Sequence, residues 1–273
     1  MAEVVATKLQ VQIAVYGHDG MSRLLEHSHP QEPGVQWLVS WQVPDGDCTV
    51  PQALLARDDF DVIVNRDRGV AKNRNHALDV SDDAPWCLLS DDDVDYEADA
   101  LRELMGAFDE YPEADIICCR YLSRGSYTKN YGEGVFTLNR APKGWYAATI
   151  EMAFRRESCK GLRFNENFGP GSGRLISGED SVWFCDMMRK GLKGVCVPID
   201  LCSHDGETSG ERLARDKEFV KAQGAIIIHS KPLTWLPRLL LYAYRSPKPY
   251  FWYLYHSLRG VIYAVVHRIY KNS

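Results

Sequence analysis

The chain has 273 residues, of which 45% are hydrophobic and 25% are charged, and its formal net charge is −5. These proportions are those of a globular protein and exclude general disorder. No apolar run approaches the roughly 20 residues that a membrane-spanning helix needs, so the sequence predicts no such helix.

The first half of the chain alternates between short apolar runs and helical patterns. Such alternation is typical of βα units that build a mostly parallel sheet. The pattern predicts strands at residues 11–16, 35–41, 61–65, 86–89 and 114–121, and helices at residues 70–80 and 98–111.

The segment 122–145 is different, because Gly, Tyr, Asn, Lys and Arg follow one another there without a regular period. We expect loops or short hairpins, and long ordered loops often border binding sites. Trp145, at the end of this segment, is therefore a candidate contact for an acceptor substrate. Farther along, the sequence predicts a Gly-rich loop at 165–178, a helix at 179–190 and a strand at 192–197 that ends at Pro198.

The eight cysteines include no CxxC pair, which argues against a zinc site built from thiolates. Most of them lie in apolar surroundings, where a reduced cysteine behaves as a small core residue. The first residues lack the basic region and the apolar stretch of a signal peptide. We therefore expect a reducing, cytoplasmic compartment.

Three adjacent carboxylates, Asp91, Asp92 and Asp93, follow the predicted strand 86–89 after one serine. Ligands of open α/β sheets bind at the carboxyl ends of the strands. Adjacent carboxylates repel one another unless a cation neutralises them, and Mg²⁺ and Mn²⁺ prefer oxygen ligands that they share with substrate phosphates. Taken alone, the run is as compatible with a solvated turn or a helix N-terminus as with a metal site.

Two further motifs surround the acidic run. Upstream, residues 69–78 read Gly-Val-Ala-Lys-Asn-Arg-Asn-His-Ala-Leu, and downstream Glu179 and Asp180 open the predicted helix. With the acidic run between them as a DxD motif, this order resembles glycosyltransferase family 2 over residues 8–205. The joint match is far more specific than any one motif. The resemblance implies an α/β protein of the GT-A fold, in which helices flank a mostly parallel, Rossmann-like sheet that binds a nucleotide-sugar.

The resemblance also implies a role for each carboxylate. Asp91 and Asp93 would hold Mn²⁺ or Mg²⁺ against a diphosphate, and Asp92 would lie beside the nucleotide-sugar. Asp180 would be the base that accepts the proton of the acceptor hydroxyl, in a single displacement that inverts the anomeric carbon. Glu179 would orient the acceptor or brace its loop.

For Glu179 and Asp180 there is a structural alternative. Carboxylates in the first turn of a helix stabilise its macrodipole, and Ser177 is placed to cap the same helix. On helix-start statistics alone this alternative is favoured, and only the resemblance favours a catalytic role.

Three other residues are candidates for the site. Arg74 resembles the family's arginine that approaches the nucleotide, although a surface helix position would explain it too. Asp67, between two arginines, is either a nucleotide-sugar contact or a loop charge. His204 is placed like the histidine that completes the metal site of many GT-A enzymes, and imidazole suits Mn²⁺ better than Mg²⁺. A lone histidine is otherwise a surface or core residue. The Gly-rich residues that follow would suit a lid.

The C-terminal residues 231–273 contain seven Lys or Arg, ten aromatic residues and no Asp or Glu, so the preceding 230 residues carry a net charge of about −12. We predict a GT-A domain at 1–230 and a helical tail at 231–273, with segments at 233–244 and 249–270. Aromatic residues favour the membrane interface and Lys or Arg favour anionic headgroups, so we expect the tail to lie on an anionic membrane surface. The alternative is a helical hairpin that packs on the catalytic domain or on a partner subunit, as in a homo-oligomer.

These features predict an inverting, metal-dependent glycosyltransferase that moves one sugar from a nucleoside-diphosphate sugar, with UDP expected, to a glycan or lipid-linked acceptor. The Gln-x-x-Arg-Trp motif of processive synthases is absent from the sequence. We expect a role in cell-surface polysaccharide synthesis at the inner face of the cell membrane, without a nucleic acid partner. Two other hypotheses are a nucleotidyltransferase of similar architecture, for which residues 16–23 make a poor phosphate loop, and a non-catalytic binding protein.

Overall fold

The computed structural model describes residues 6–80, 84–205 and 216–269. Within these ranges the chain divides into two compact units. The first contains residues 1–68, 73–161 and 187–206, and the second contains residues 69–72, 162–186 and 207–273.

A nine-stranded sheet forms the first unit, and four of its strands are parallel neighbours. These are β1 (Leu9–Tyr16), β2 (Val35–Gln42), β3 (Phe60–Asn65) and β4 (Trp86–Asp91), in the order β3-β2-β1-β4. In β1, Leu9, Val11, Ile13 and Val15 are fully buried on one face, as the period of two along a strand requires. The predicted parallel sheet is confirmed.

The rest of the sheet is mixed. β8 (Met152–Arg155) pairs antiparallel with both β4 and β6 (Ile116–Ser123), and β6 pairs parallel with β9 (Gly194–His204). Two short strands, β5 (Asp95–Tyr96) and β7 (Phe136–Thr137), pair antiparallel with β9. The segment 122–145, predicted as loops or short hairpins, contains little regular structure besides β7 and one 3-10 turn, Leu138–Arg140.

Six helices lie between these strands along the chain. They are α1 (Gly17–Glu26), α2 (Gln52–Leu55), α3 (Val70–Val80), α4 (Ala98–Glu110), α5 (Arg156–Cys159) and α6 (Glu179–Arg189). The predicted helix at 70–80 has the bounds of α3, and α4 and α6 end within one residue of their predictions. Phe108 of α4 stacks on Trp86 of β4 at 4.2 Å between ring centroids, so this helix covers the sheet through an aromatic pair.

The predicted end of the last strand at Pro198 is wrong. β9 continues to His204, and its pairing with β6 shifts register between Cys118 and Arg120. Pro198 lies exposed at this irregularity, where its missing N–H interrupts no ladder hydrogen bond. His204 is consequently the last residue of a strand and does not follow a loop.

A buried amide joins the ends of three parallel strands. Asn73 in α3 donates from Nδ2 to the carbonyls of Val15 in β1 (3.1 Å) and Ser40 in β2 (2.9 Å). Its Oδ1 accepts from Ser40 Oγ (2.6 Å) and from Asn65 Nδ2 at the end of β3 (2.9 Å). Because all of these groups are satisfied, the start of α3 is fixed against the carboxyl edge of the sheet.

The second unit contains three C-terminal helices, α7 (Lys217–Ser230), α8 (Trp235–Arg245) and α9 (Tyr250–Val266). The two tail segments predicted from sequence correspond to α8 and α9. Helices α7 and α9 cross at Gly224 and Gly260, where an added Cβ would collide with the backbone of the facing helix at Ser257 and Lys221, respectively. Their apolar core includes Val182 of α6. None of the helices in the described residues is both long and apolar enough to cross a membrane.

Candidate functional site

The acidic run lies at the carboxyl edge of the parallel strands. Trp86, the first residue of β4, and the three residues after it are buried, and the strand continues through Ser90 to Asp91. Asp92 and Asp93 form the turn that leads into β5. The sequence of β4 therefore buries an apolar strand and delivers three carboxylates at the edge where ligands of such sheets bind.

Asp91 is held by an arginine from α3. Nη2 of Arg74 lies 2.7 Å from Oδ1 of Asp91 and also donates to the Thr149 hydroxyl at 3.2 Å. Only 5% of the arginine side chain is exposed, whereas 40% of the aspartate side chain is. The structure thus brings Arg74 to the acidic run, as the resemblance implied, and contradicts a surface position for it.

Asp92 is held by an arginine from α1. Arg23 donates from Nε to Oδ1 at 3.1 Å and from Nη2 to Oδ2 at 2.9 Å, in a two-pronged contact. Burial nevertheless raises the pKa of Asp92 to about 6, because it outweighs the opposing hydrogen bond from Arg23. Arg23 was not among the residues selected from sequence, since nothing local marks it out.

Asp93 is held by a histidine from β9. Nε2 of His204 lies 3.1 Å from Oδ2 of Asp93, and β9 reaches this point by pairing with β5. The hydrogen bond to Asp93 raises the pKa of His204. Burial alone would raise the pKa of Asp93, but the bond from His204 lowers it below the ordinary value. The predicted pair of Asp93 and His204 is therefore brought together.

The side chains provide part of a site for a divalent cation. Carboxylate oxygen and imidazole nitrogen from Asp93 and His204 are donors that suit Mn²⁺. Across residues 6–80, 84–205 and 216–269, no three His, Cys, Asp or Glu side chains are grouped as a metal site. Asp91 faces Arg74 instead. Two protein ligands nevertheless fit an ion that takes its other oxygens from substrate phosphates and water.

The remaining candidates of the first unit lie in loops. Asp67 is exposed after β3. Trp145 is half-buried, with its ring edge-on to Phe136 at 5.8 Å between centroids, and the Lys129 ammonium lies 5.7 Å from its centroid. The Gly-rich residues proposed as a lid fall in 206–215, outside the described residues.

Glu179 and Asp180 open α6 in the second unit. Asp180 is half-buried and its Oδ1 accepts from the Ser181 amide at 2.6 Å. Glu179 is buried, and its carboxylate lies against Gly169, where a Cβ would be 2.8 Å from Oε2. Gly169, at φ +96°, thus leaves space for Glu179, consistent with bracing of that loop. The Ser177 hydroxyl is buried and has no hydrogen-bond partner in the described chain, so it does not provide the cap that the structural alternative included.

A buried ion pair is formed by Glu151, two residues after Thr149. The side chains of Lys129 and Glu151 are both completely buried and hydrogen-bonded to each other. Lys129 also donates to the Tyr146 carbonyl at 2.6 Å, and the Tyr131 hydroxyl donates to the second oxygen of Glu151. The aromatic rings within about 6 Å of the ammonium belong to Tyr121, Tyr131, Trp145 and Tyr146. Sequence reasoning missed this pair, whose members are 22 residues apart.

Part of the chain resembles a known protein family in sequence. Residues 51–167 match the family described as Glycosyl transferase family 2. That range contains Arg74, the acidic run and Trp145, but not Glu179, Asp180 or His204. No curated protein matches the chain significantly.

Solved structures resemble the chain at low identity. TarS of S. aureus superposes with a TM-score of 0.58 at 16% identity, over 87% of this chain and 42% of TarS. A TarS 1-349 structure in complex with UDP-GlcNAc gives 0.63 at 16% identity, over 96% of this chain and 83% of that one. The mannosyltransferase PcManGT from Pyrobaculum calidifontis, in complex with GDP-Man and Mn²⁺, gives 0.55 at 13% identity, over 96% and 76%. This chain thus spans less than half of TarS, and the likeness shows a shared fold.

Proposed function

We propose that this chain, which shares the fold of solved glycosyltransferases and matches glycosyl transferase family 2 over residues 51–167, transfers a single sugar, with inversion, from a nucleoside-diphosphate sugar to an acceptor hydroxyl. The observation that carries this proposal is the convergence of Arg74, Asp91, Asp93 and His204 at the carboxyl edge of the sheet. The family match favours this activity over a nucleotidyltransferase or a non-catalytic binding protein.

In the proposed reaction, the acceptor oxygen attacks the anomeric carbon while the bond from that carbon to the diphosphate oxygen breaks. The acceptor proton passes to Asp180, and the nucleoside diphosphate leaves with the bonding electron pair. Arg74 neutralises charge beside the diphosphate and keeps Asp91 in place. A cation held by Asp93 and His204 would act as a Lewis acid toward the phosphates. Glu179 and Trp145 are proposed for the acceptor, and Asp67 and Asp92 for the nucleotide-sugar.

We propose UDP as the nucleotide and a glycan or lipid-linked molecule as the acceptor, within cell-surface polysaccharide synthesis. A thermal-shift screen of UDP-, GDP- and TDP-sugars with Mn²⁺ or Mg²⁺ tests the donor. The expected result is a rise in melting temperature that is largest for a UDP-sugar and depends on the metal. No shift with any nucleotide-sugar would contradict the proposal.

Asp180→Asn tests the base. Loss of a general base lowers kcat by about 10²- to 10⁴-fold, while donor affinity stays unchanged because the amide is nearly isosteric. Asp99→Asn is the control, since that side chain is 84% exposed and bonded to Arg102. Full activity in Asp180→Asn would refute the assignment.

We also propose that residues 231–273 bind an anionic membrane surface, which would bring the enzyme to a lipid-linked acceptor. Of the 19 large hydrophobic side chains that are exposed in the described residues, 12 lie between Leu233 and Val266. On α9, Phe251, Tyr255, Ile262 and Val266 are 61–80% exposed and follow one side of the helix. The absence of Asp and Glu from residues 231–273 makes this apolar face suitable for anionic lipid.

Flotation of the full chain with phosphatidylglycerol vesicles tests the membrane contact. Replacing Phe251 and Ile262 with Ser should abolish flotation, whereas replacing the exposed Leu55, far from the tail in sequence, with Ser should not. Unchanged flotation of the double variant would contradict the proposal. If the wild type ignores the vesicles and the double variant instead lowers the oligomeric state seen by light scattering, this face joins copies of the chain.

A further inference from the structure

The 3-10 turn Thr149–Glu151 connects two buried polar groups of the first unit. At its start, the Thr149 hydroxyl accepts from Arg74, whose same nitrogen holds Asp91. At its end, Glu151 accepts from Lys129, from Tyr131 and from the Ala148 amide at 3.2 Å. The turn therefore has the acidic run on one side and a fully buried ion pair on the other.

The buried ion pair fixes this turn strongly. An ammonium and a carboxylate that are removed from water are stable only if each remains paired and hydrogen-bonded, so any displacement of Glu151 leaves a charge uncompensated. Burial raises the pKa of Glu151, against the opposing effect of Lys129. The turn is also fastened to β9, because the Cys202 thiol lies 3.4 Å from the Ile150 carbonyl.

We propose that Lys129, Glu151 and Tyr131 are positioning residues for Asp91, acting through Thr149 and Arg74. The buried pair fixes the position of the Thr149 hydroxyl, and this hydroxyl fixes the position of the Arg74 guanidinium. Arg74 in turn holds the Asp91 carboxylate, which faces the donor diphosphate. The last step rests on the proposed function, whereas the path from Glu151 to Arg74 does not. None of the three residues contacts the acidic run in the described structure.

Two conservative variants interrupt this path at different points. Tyr131→Phe removes the hydroxyl that donates to Glu151 and that also accepts from the Tyr121 amide at 3.1 Å. Thr149→Val removes the hydroxyl that accepts from Arg74. Tyr121→Phe is the matched control, because it removes another phenol hydroxyl of the same cluster, bonded to Thr128 at 2.8 Å rather than to Glu151. All three variants keep the Lys129–Glu151 pair, which avoids an unpaired buried charge.

The first readout needs no substrate. In protein labelled with ¹⁵N-arginine, the guanidinium signal of Arg74, assigned by its loss in Arg74→Lys, reports how freely that group rotates. We expect faster rotation in Thr149→Val and Tyr131→Phe but not in Tyr121→Phe. An unchanged Arg74 signal in Tyr131→Phe would overturn the positioning role, whatever the protein binds.

The second readout is the dissociation constant for UDP with Mn²⁺, measured by calorimetry. Loss of one hydrogen bond along the path should raise it about threefold to tenfold. Because the two changes act on one path, the double variant Tyr131→Phe/Thr149→Val should be no weaker than Thr149→Val alone. Multiplicative effects would show independent, merely structural roles and overturn the proposal. If the Arg74 signal responds as expected but the wild type binds no nucleotide, the path is supported and the proposed function fails.

Discussion

The guanidinium of Arg74 lies 2.7 Å from the carboxylate of Asp91, and it is among the most buried charged groups of the first unit. A buried cation of this kind needs its partner, and the partner gains a fixed orientation. Through this pair, helix α3 fixes the orientation of Asp91, the first aspartate of the acidic run.

Replacing Arg74 with Gln keeps a hydrogen-bond donor and removes the charge. We expect the KM for the donor to rise by about tenfold or more, since hydrogen bonds between charged groups contribute about 1.5–3 kcal/mol. Steady-state kinetics with varied donor measure this. Arg68→Gln is the control, because Arg68 pairs with Asp45 on the surface and both side chains are more than 60% exposed. Equal effects of the two changes would contradict a special role for Arg74.

Loss of His204 should weaken the binding of Mn²⁺. His204→Asn removes the imidazole next to Asp93, and we expect the dissociation constant for Mn²⁺ in the presence of UDP to rise at least about tenfold. The preference for Mn²⁺ over Mg²⁺ should shrink as well, because imidazole nitrogen favours Mn²⁺. Electron paramagnetic resonance of free Mn²⁺ provides the measurement.

A second histidine gives a matched control for this experiment. His27 contacts Asp95 at 2.9 Å, in a pair much like that of His204 and Asp93. His27→Asn should leave the affinity for Mn²⁺ unchanged. If both variants lose affinity alike, or neither does, His204 is not a metal ligand.

His29 should make the protein less stable at mildly acidic pH. Burial beside Trp37 lowers the pKa of His29 to about 4, and its Nε2 has no partner among the described residues. Below pH 6.5 the unfolded chain gains a proton at His29 that the folded chain does not take until about pH 4. The free energy of unfolding therefore falls by about 1.5 kcal/mol between pH 6.5 and pH 5.

Urea denaturation at several pH values measures this dependence. His29→Phe keeps an aromatic ring beside Trp37. It should remove the contribution of about one proton to the slope of the unfolding free energy against pH. His18→Phe, at an exposed position, should leave the slope as it is. A slope that is the same in His29→Phe as in the wild type would show that another group causes the dependence.

The crossing of α7 and α9 should not tolerate an added methyl group. Gly224→Ala and Gly260→Ala each place a Cβ inside contact distance of a backbone carbonyl on the facing helix, so the helices must separate. We expect a loss of about 1–3 kcal/mol in the free energy of unfolding. The melting temperature of each variant measures the effect.

The same substitution elsewhere should have the opposite effect. Gly106 lies in α4, where an added Cβ meets nothing within 4 Å. Gly106→Ala should stabilise the protein by about 0.5–1 kcal/mol, because alanine restricts the unfolded chain and favours the helix. Equal effects at Gly106 and Gly224 would show that the close crossing is not what limits stability.

Most of the sheet could be predicted from the sequence because apolar runs and helical periods are local signals. The family resemblance is confirmed, and so are the GT-A fold and the helices α3, α4 and α6. Helix α1 was missed because it follows β1 directly through Gly17, at φ +67°, in a segment that reads as a turn. Helix α7 was missed because its buried residues do not follow a single stripe with a period of 3.6 residues; they include Val220, Ala222, Ala225, Ile227 and Ile228. The domain boundary at residue 230 stays a prediction.

The site was only partly predictable, for a physical reason. Arg74, the aspartates and His204 could be selected because their motifs are local in sequence. Arg23 is 69 residues from Asp92, and the Lys129–Glu151 pair depends on the folding of a long loop. Only the tertiary structure brings such partners together, and no periodicity or motif spacing in the sequence indicates that they will meet. The roles of the selected residues stay predictions.

Each aspartate of the acidic run has a cation of its own, and each cation comes from a different element: Arg74 from α3, Arg23 from α1 and His204 from β9. With His204 protonated, the formal charges of these six groups cancel. An approaching diphosphate therefore meets no net charge from the acidic run and its three partners, rather than three negative charges at close range. A divalent cation that binds His204 and Asp93 must first displace the proton from His204, and this becomes easier as the pH rises. Nucleotide capture should therefore become more dependent on the metal at higher pH.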